Sequence, residues 1–247
     1  MAMDRAHFAG LSAALALPVC AAWAGPPYVT DDPEPTEFRQ FEVYLFATGS
    51  EARDGSEAAA GIDFNYGAGP DLQLTAAVPF AYENPSDASS ASGIGNVELA
   101  AKYRFLHQDK IGWDVAFFPR YFLPSASSQV GEQHAAFLLP IWAEKDWDSW
   151  STFGGGGCVL QSGEGLKDYC LAGWAVTHTI ASRLQLGLEL VYQSADTSLG
   201  RSSTALGAGL RYDFSEHYHF LASAGPTLRN AAETTHYSWY ASLLLTF

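Results

Sequence analysis

From residue 40 to the carboxyl terminus, apolar side chains return at every second position, in about twelve stretches of roughly ten residues. The last stretch is the clearest. Tyr237, Trp239, Ala241, Leu243, Leu245 and Phe247 share one face, and Ser238, Tyr240, Ser242, Leu244 and Thr246 share the other. A period of two specifies a β-strand, and about ten residues is the length a tilted strand needs to cross a bilayer. The same pattern predicts strands over 40–48, 60–67, 72–80, 96–105, 112–123, 135–145, 150–160, 169–179, 183–193, 204–214 and 218–228.

One sustained apolar run interrupts this picture, and it lies at the amino terminus. Residues 8–24 follow Arg5, carry Leu11, Leu15, Leu17 and Val19, and end on Ala22-Trp23-Ala24 before Gly25. A short apolar core with an A-x-A ending predicts a secretory signal over 1–24 rather than a spanning helix. Without a spanning helix, a membrane role requires a closed barrel, because every backbone N–H and C=O must be paired inside the bilayer. A net charge of −14 argues against nucleic acid as a partner, since that binding depends on cations neutralising phosphates.

The connections alternate in length. Short ones fall at 67–71, 107–111, 146–149, 180–182 and 215–217; longer ones, rich in Ser, Gly, Asp and Glu, fall at 49–56, 83–95, 125–134, 161–168, 194–203 and 229–236. Short periplasmic turns and longer external loops produce that rhythm. Aromatic residues gather at both strand ends, as two membrane interfaces select. The expectation is an all-β, up-and-down antiparallel transmembrane β-barrel of about 12 strands over 38–247, with both chain termini periplasmic.

Several segments carry a resemblance. The stretch 25–35 (GPPYVTDDPEP), Leu72-Gln73-Leu74 with Val78-Pro79, and 95–105 (GNVELAAKYRF) resemble the outer-membrane family named for the MetA pathway of phenol degradation. Phe118-Pro119-Arg120-Tyr121, Pro140-Ile141-Trp142, the glycines 154–157 and Leu186-Gly187-Leu188-Glu189-Leu190 extend the likeness. The final strand, 237–247, resembles the signal by which the barrel-assembly machinery recognises such proteins. The resemblance implies an outer-membrane channel or transporter for passive or facilitated uptake of small, hydrophobic or aromatic molecules. A structural or adhesive barrel with a plugged lumen stands as the alternative, with a barrel-embedded hydrolase behind it.

If the aliphatic faces meet lipid, the charged positions line the lumen. A Lys or Arg on the lipid face at mid-depth would cost roughly 2–4 kcal/mol. The candidates are Glu42, Asp63, Glu98, Lys102, Arg104, Arg120, Glu189 and Arg211, with Asp114 and Asp213 beside them. They form either a field that screens solutes or a salt-bridge network filling a narrow barrel. The Pro-rich acidic segment 25–37 either enters the lumen and pairs with Lys102, Arg104 and Arg211 or hangs as a free tail. Cys158 and Cys170 flank one long loop, and in a regular hairpin they face each other as a disulfide, with Trp174 across from Gly154. Pro79, Pro119, Pro140 and Pro226 are expected to interrupt strands, as bulges or as a lateral exit. Which face of the hairpin 150–179 meets lipid stays open, since Phe153 and Leu171 oppose Trp150 and Val176 in parity. Ser125, His134 and His236 fall in external loops without the pattern of a catalytic triad. No cofactor and no metal site are implied.

Overall fold

The computed structural model describes residues 27–131 and 133–247; the segment 1–24, expected as a secretory signal, lies outside these. Its strands are β1 (Phe41–Ala52), β2 (Gly55–Gly69), β3 (Leu72–Pro85), β4 (Ala91–Ile94), β5 (Glu98–Leu106), β6 (Asp114–Phe117), β7 (Arg120–Phe122), β8 (Ala136–Trp147), β9 (Trp150–Gln161), β10 (Tyr169–Ala181), β11 (Leu184–Gln193), β12 (Ser203–Asp213), β13 (Tyr218–Arg229) and β14 (Thr235–Thr246). All pair antiparallel. β4 with β5, and β6 with β7, each form one broken stave, so the strands make the twelve staves of a closed barrel. β14 closes it against β1, from Glu42↔Thr246 through Ser50↔Ser238, and Phe41 and Phe247 exchange backbone hydrogen bonds at the rim.

The outward positions are those the alternation marks. Leu45, Leu74, Val78, Leu99, Ile141, Leu188, Leu190 and Leu243 are all exposed. An apolar band that runs round the barrel has no soluble counterpart and fits the lipid core. Tyr103, Phe105, Trp150, Tyr212, Phe214, Tyr218 and Phe247 are exposed near the short-turn rim, and Phe80, Tyr82, Tyr192, Tyr237 and Trp239 near the other.

Two features differ from expectation, and a third settles what the sequence left open. The connection expected over 49–56 is a turn at Arg53 and Asp54, because β1 and β2 stay paired to Ala52↔Gly55. Polar side chains mark where strands leave the lipid, but the backbone ladder continues in water. Second, Pro79, Pro140 and Pro226 lie within strands, and only Pro119 falls in a break. Pro79 and Pro140 face the breaks at 95–97 and 118–119 in their neighbours, so the ladder loses no partner at their missing N–H. Their carbonyls accept from Gly95 and Phe118. Third, the hairpin 150–179 turns Trp150, Trp174 and Val176 outward and buries Phe153, Leu171 and Ala175 inside. Cys158 and Cys170 form a disulfide at paired, outward positions near the external rim. On the same face Trp174 covers Gly154 and donates from Nε1 to Thr152 Oγ1 at 2.8 Å.

Candidate functional site

The lumen is crossed by the chain's own amino-terminal segment. Just before β1 the backbone reverses at Arg39, whose φ of 66° is the left-handed conformation such a reversal needs. Arg39 N–H donates to the Gly67 carbonyl at 2.8 Å, and a side chain at Gly67 would collide with the Glu37 carbonyl. From that rim the segment runs across the barrel from the β2–β3 wall to the β9–β13 wall.

The first wall holds it by polar contacts. Gln73 Oε1 accepts from Thr36 N–H at 2.8 Å and from its hydroxyl at 3.1 Å. The Gln73 amide in turn donates to Asn65 Oδ1 at 2.7 Å and Thr75 Oγ1 at 3.0 Å. Lys102 Nζ donates to Asp31 Oδ1 at 2.9 Å, to the Asp32 carbonyl at 2.9 Å and to the Glu34 carbonyl at 3.3 Å. Lys102 and Asp31 are both almost wholly buried, so each is tolerated only because the other is present.

The far wall holds it by shape. Glu189 accepts from Val29 N–H at 3.1 Å and Thr30 N–H at 3.0 Å, which satisfies two amides that β-pairing cannot reach. Ser223 donates its hydroxyl to the Pro27 carbonyl. Around these contacts the inward positions are glycines. A Cβ on Gly173 would stand 2.1 Å from Thr30 Oγ1, one on Gly187 2.2 Å from the Tyr28 hydroxyl, and one on Gly209 2.7 Å from the Tyr28 ring. Tyr28 lies in that recess, its ring 5.9 Å from Phe153.

Other lumen charges pair along the wall. Arg120 donates to Glu98 through Nε at 2.6 Å and Nη2 at 2.8 Å, a bidentate pair that is fully buried. Among the described residues no hydrogen bond or ion pair joins Arg104 or Arg211 to the segment. Arg104 pairs with Asp71 at 3.3 Å and Asp114 at 3.8 Å. Arg211 pairs with Asp213 at 2.9 Å, and Asp213 also binds His219 at 2.6 Å. Glu42 and Asp63 face inward; Glu42 accepts from the Tyr44 hydroxyl at 3.3 Å and Asp63 from the Asn65 amide at 3.1 Å, with Lys102 and Arg120 attracting them from farther off.

Toward the external side, Phe118, Leu138, Trp142, Val159, Tyr169 and Leu171 pack into one apolar cluster within the barrel. The loop after β7 folds onto the lumen side of β4. Ser127 N–H donates to the Ile94 carbonyl at 2.8 Å, and Gly131 N–H to Glu83 at 2.9 Å, leaving Val130 only 2% exposed. Between the segment and the β1–β5 wall remains a cavity of about 250 Å3. In the external loops the Ser125 hydroxyl accepts from Val97 N–H at 2.9 Å, and no hydrogen bond joins it to His134 among the described residues.

The parity of the sequence did not disclose the glycine recess. Its signal was available, as Gly173, Gly187, Gly207 and Gly209 all fall at inward positions of three consecutive strands.

The family model described as MetA-pathway of phenol degradation matches residues 67–245. The chain belongs to this family. No curated protein matches it in sequence. Among solved structures it is similar to the COG4313 outer membrane channel from Pseudomonas putida F1, with 14% identity and a TM-score of 0.69, covering 87% of this chain and 97% of that one. It is also similar to the KdgM porin, at 13% identity and TM-score 0.58 over 83% and 99% of the two chains. The NanC porin follows at 11% identity and TM-score 0.53, over 83% and 98%. The fold is that of an outer-membrane barrel, and the protein is located accordingly.

Proposed function

We propose that the protein is a passive outer-membrane channel for small solutes, held closed by residues 27–37. The observation that carries this reading is the glycine recess. A barrel built only as a solid scaffold can fill its lumen with side chains from its own wall. Here the wall is cut back, and a stretch of chain that belongs to no stave fills the space. Such a stretch can leave without breaking any wall-to-wall pairing. The family description, and the aromatic cluster of Phe118, Trp142 and Tyr169 beside the path, favour small aromatic or hydrophobic molecules as the solutes. With channels and porins as its structural neighbours and no triad assembled from Ser125, His134 and His236 among the described residues, the reading is of a non-enzyme.

Planar-bilayer recording of the full protein and of a form lacking residues 27–37 tests it. The expected result is rare, small steps from the first and a stable open level from the second. A second reading is favoured by the buried Lys102–Asp31 pair, which ties the segment firmly: a structural barrel kept shut. It predicts silence from both forms.

A further inference from the structure

We propose that the outward face of the β8–β9 hairpin, at the short-turn rim, binds the phosphate of a membrane phospholipid through Lys145, inside a ring of four tryptophans. The site lies on the outer wall and is independent of whether the lumen conducts.

Charge singles out Lys145. Among the described residues the strands carry Lys102, Arg104, Arg120 and Arg211 inward, and Arg229 ends β13 at the external rim. Lys145 alone points from a spanning strand toward lipid. It shares the parity of the exposed Leu139 and Ile141 on β8, opposite to the buried Trp142, and is itself exposed. No carboxylate forms an ion pair with it among the described residues. Glu144 and Asp146 alternate to the other face of β8, and Asp148 lies in the turn beyond. Register places the tryptophans around it. Lys145 pairs with Thr152 and Trp147 with Trp150 across the hairpin, while Trp174 faces Gly154 from β10. Asp114 pairs with Glu144, which sets Trp113 beside Lys145, with the lysine Nζ 5.8 Å from its ring centre. The Trp113 and Trp174 rings meet edge-on at 6.3 Å. Four of the six tryptophans among the described residues thus surround this one lysine.

Depth fits a phosphate. β8 ends at Trp147, so Lys145 stands two residues inside the rim, and about 13 Å of strand separates it from Ile141 in the apolar band. The short-turn rim of such barrels faces the periplasm, and the membrane leaflet there is built of phospholipid. A lysine at mid-depth is strongly disfavoured, but near the interface its stem lies along apolar surface while the ammonium reaches the headgroups. Tryptophan favours the same level, with its ring among the lipid and its N–H toward an acceptor. Trp174 spends its N–H on Thr152 at 2.8 Å. Those of Trp147 and Trp150 find no acceptor among the described residues. An ammonium and two indole N–H groups without protein acceptors therefore lie where lipid phosphates lie. Toward mid-depth the same face is shallow at Ala143, Gly156 and Ala172, which leaves room for an acyl chain beside Trp174.

The test is native mass spectrometry of the full protein, stripped of lipid in detergent micelles and titrated with dioleoyl phosphatidylethanolamine or dioleoylglycerol, which differ only in the phosphate headgroup. One tightly held phospholipid per barrel is expected, with dioleoylglycerol bound about tenfold or more weakly. Lys145→Gln should bring the phospholipid down to the level of dioleoylglycerol, and Lys145→Arg should keep it. Equal binding of the two lipids, or undiminished phospholipid binding by Lys145→Gln, would overturn the proposal. So would displacement of the lipid by millimolar inorganic phosphate, which would make the site one for a free anion. Heat-modified gel mobility confirms that both variants are folded barrels.

Discussion

The two walls that meet the amino-terminal segment hold it by opposite means. The β9–β13 wall is recessed, with Gly173, Gly187 and Gly209 forming a mould around Thr30 and Tyr28, and its Glu189 takes backbone amides of the segment rather than a cation. The β1–β5 wall is full-sized and polar, and grips through Lys102 and Gln73. Shape is short-ranged and forgiving of pH and salt; a buried ion pair is neither. The space left over lies on the polar wall, where side chains reach out to the peptide instead of packing against it. The difference implies that the segment is released first from the side of the Lys102–Asp31 ion pair.

Breaking the charged grip has the largest expected effect. Lys102→Met leaves Asp31 buried without its partner, which costs about 3–5 kcal/mol in comparable pairs. Since undocking relieves that cost, the barrel should stay folded while the segment leaves, raising bilayer conductance toward that of the deleted form. Unchanged conductance would mean that the shaped wall holds alone. Next comes the staple behind that wall. The disulfide closes a short ring between Cys158 and Cys170, and Cys158→Ser/Cys170→Ser should cost about 2–4 kcal/mol by removing that constraint from the unfolded chain. Guanidinium unfolding midpoints would report it. Filling the mould is third: Gly209→Val, whose first carbon would already meet the Tyr28 ring, should weaken docking by about 1–3 kcal/mol. Tyr28→Ala in the same chain should restore protection of the segment from protease, and failure to do so would break the claim of a fitted recess.

The smallest effect is that of pH. Burial pushes the Glu34 carboxyl above its usual range, as does the neighbouring charge of Asp32 and, less, Asp146, while Arg104 and Lys102 oppose this. A carboxyl raised in the docked state binds its proton more readily there than in the free segment. Docking therefore strengthens as pH falls and weakens as pH rises through the raised value. Open time should be longer at pH 8 than at pH 5, and Glu34→Gln should flatten the dependence.

Much of the barrel was legible because period two is a direct record of which side meets lipid. The closing pairing of β14 with β1 follows from the alternation in 237–247 and the need to leave no edge. Where both faces are apolar the record is silent. In the hairpin 150–179 the inner residues Phe153 and Leu171 pack on the apolar filling of the lumen, while Trp150 and Val176 face lipid, so hydrophobicity alone cannot separate them. The partners of the lumen charges were not legible. Arg104 and Arg211, offered as partners only if the segment entered the lumen, bind Asp71 and Asp213, because alternation gives the direction of a side chain and not its reach across the barrel.

The claim that joins both walls is that residues 27–37 lie docked inside the lumen. Hydrogen exchange of the full protein in detergent micelles tests it at single amides. Val29, Thr30 and Thr36 N–H groups, bonded to Glu189 and Gln73, should exchange far more slowly than in the free peptide of the same sequence, approaching the strand amides. Exchange of all three at free-peptide rates would contradict the account.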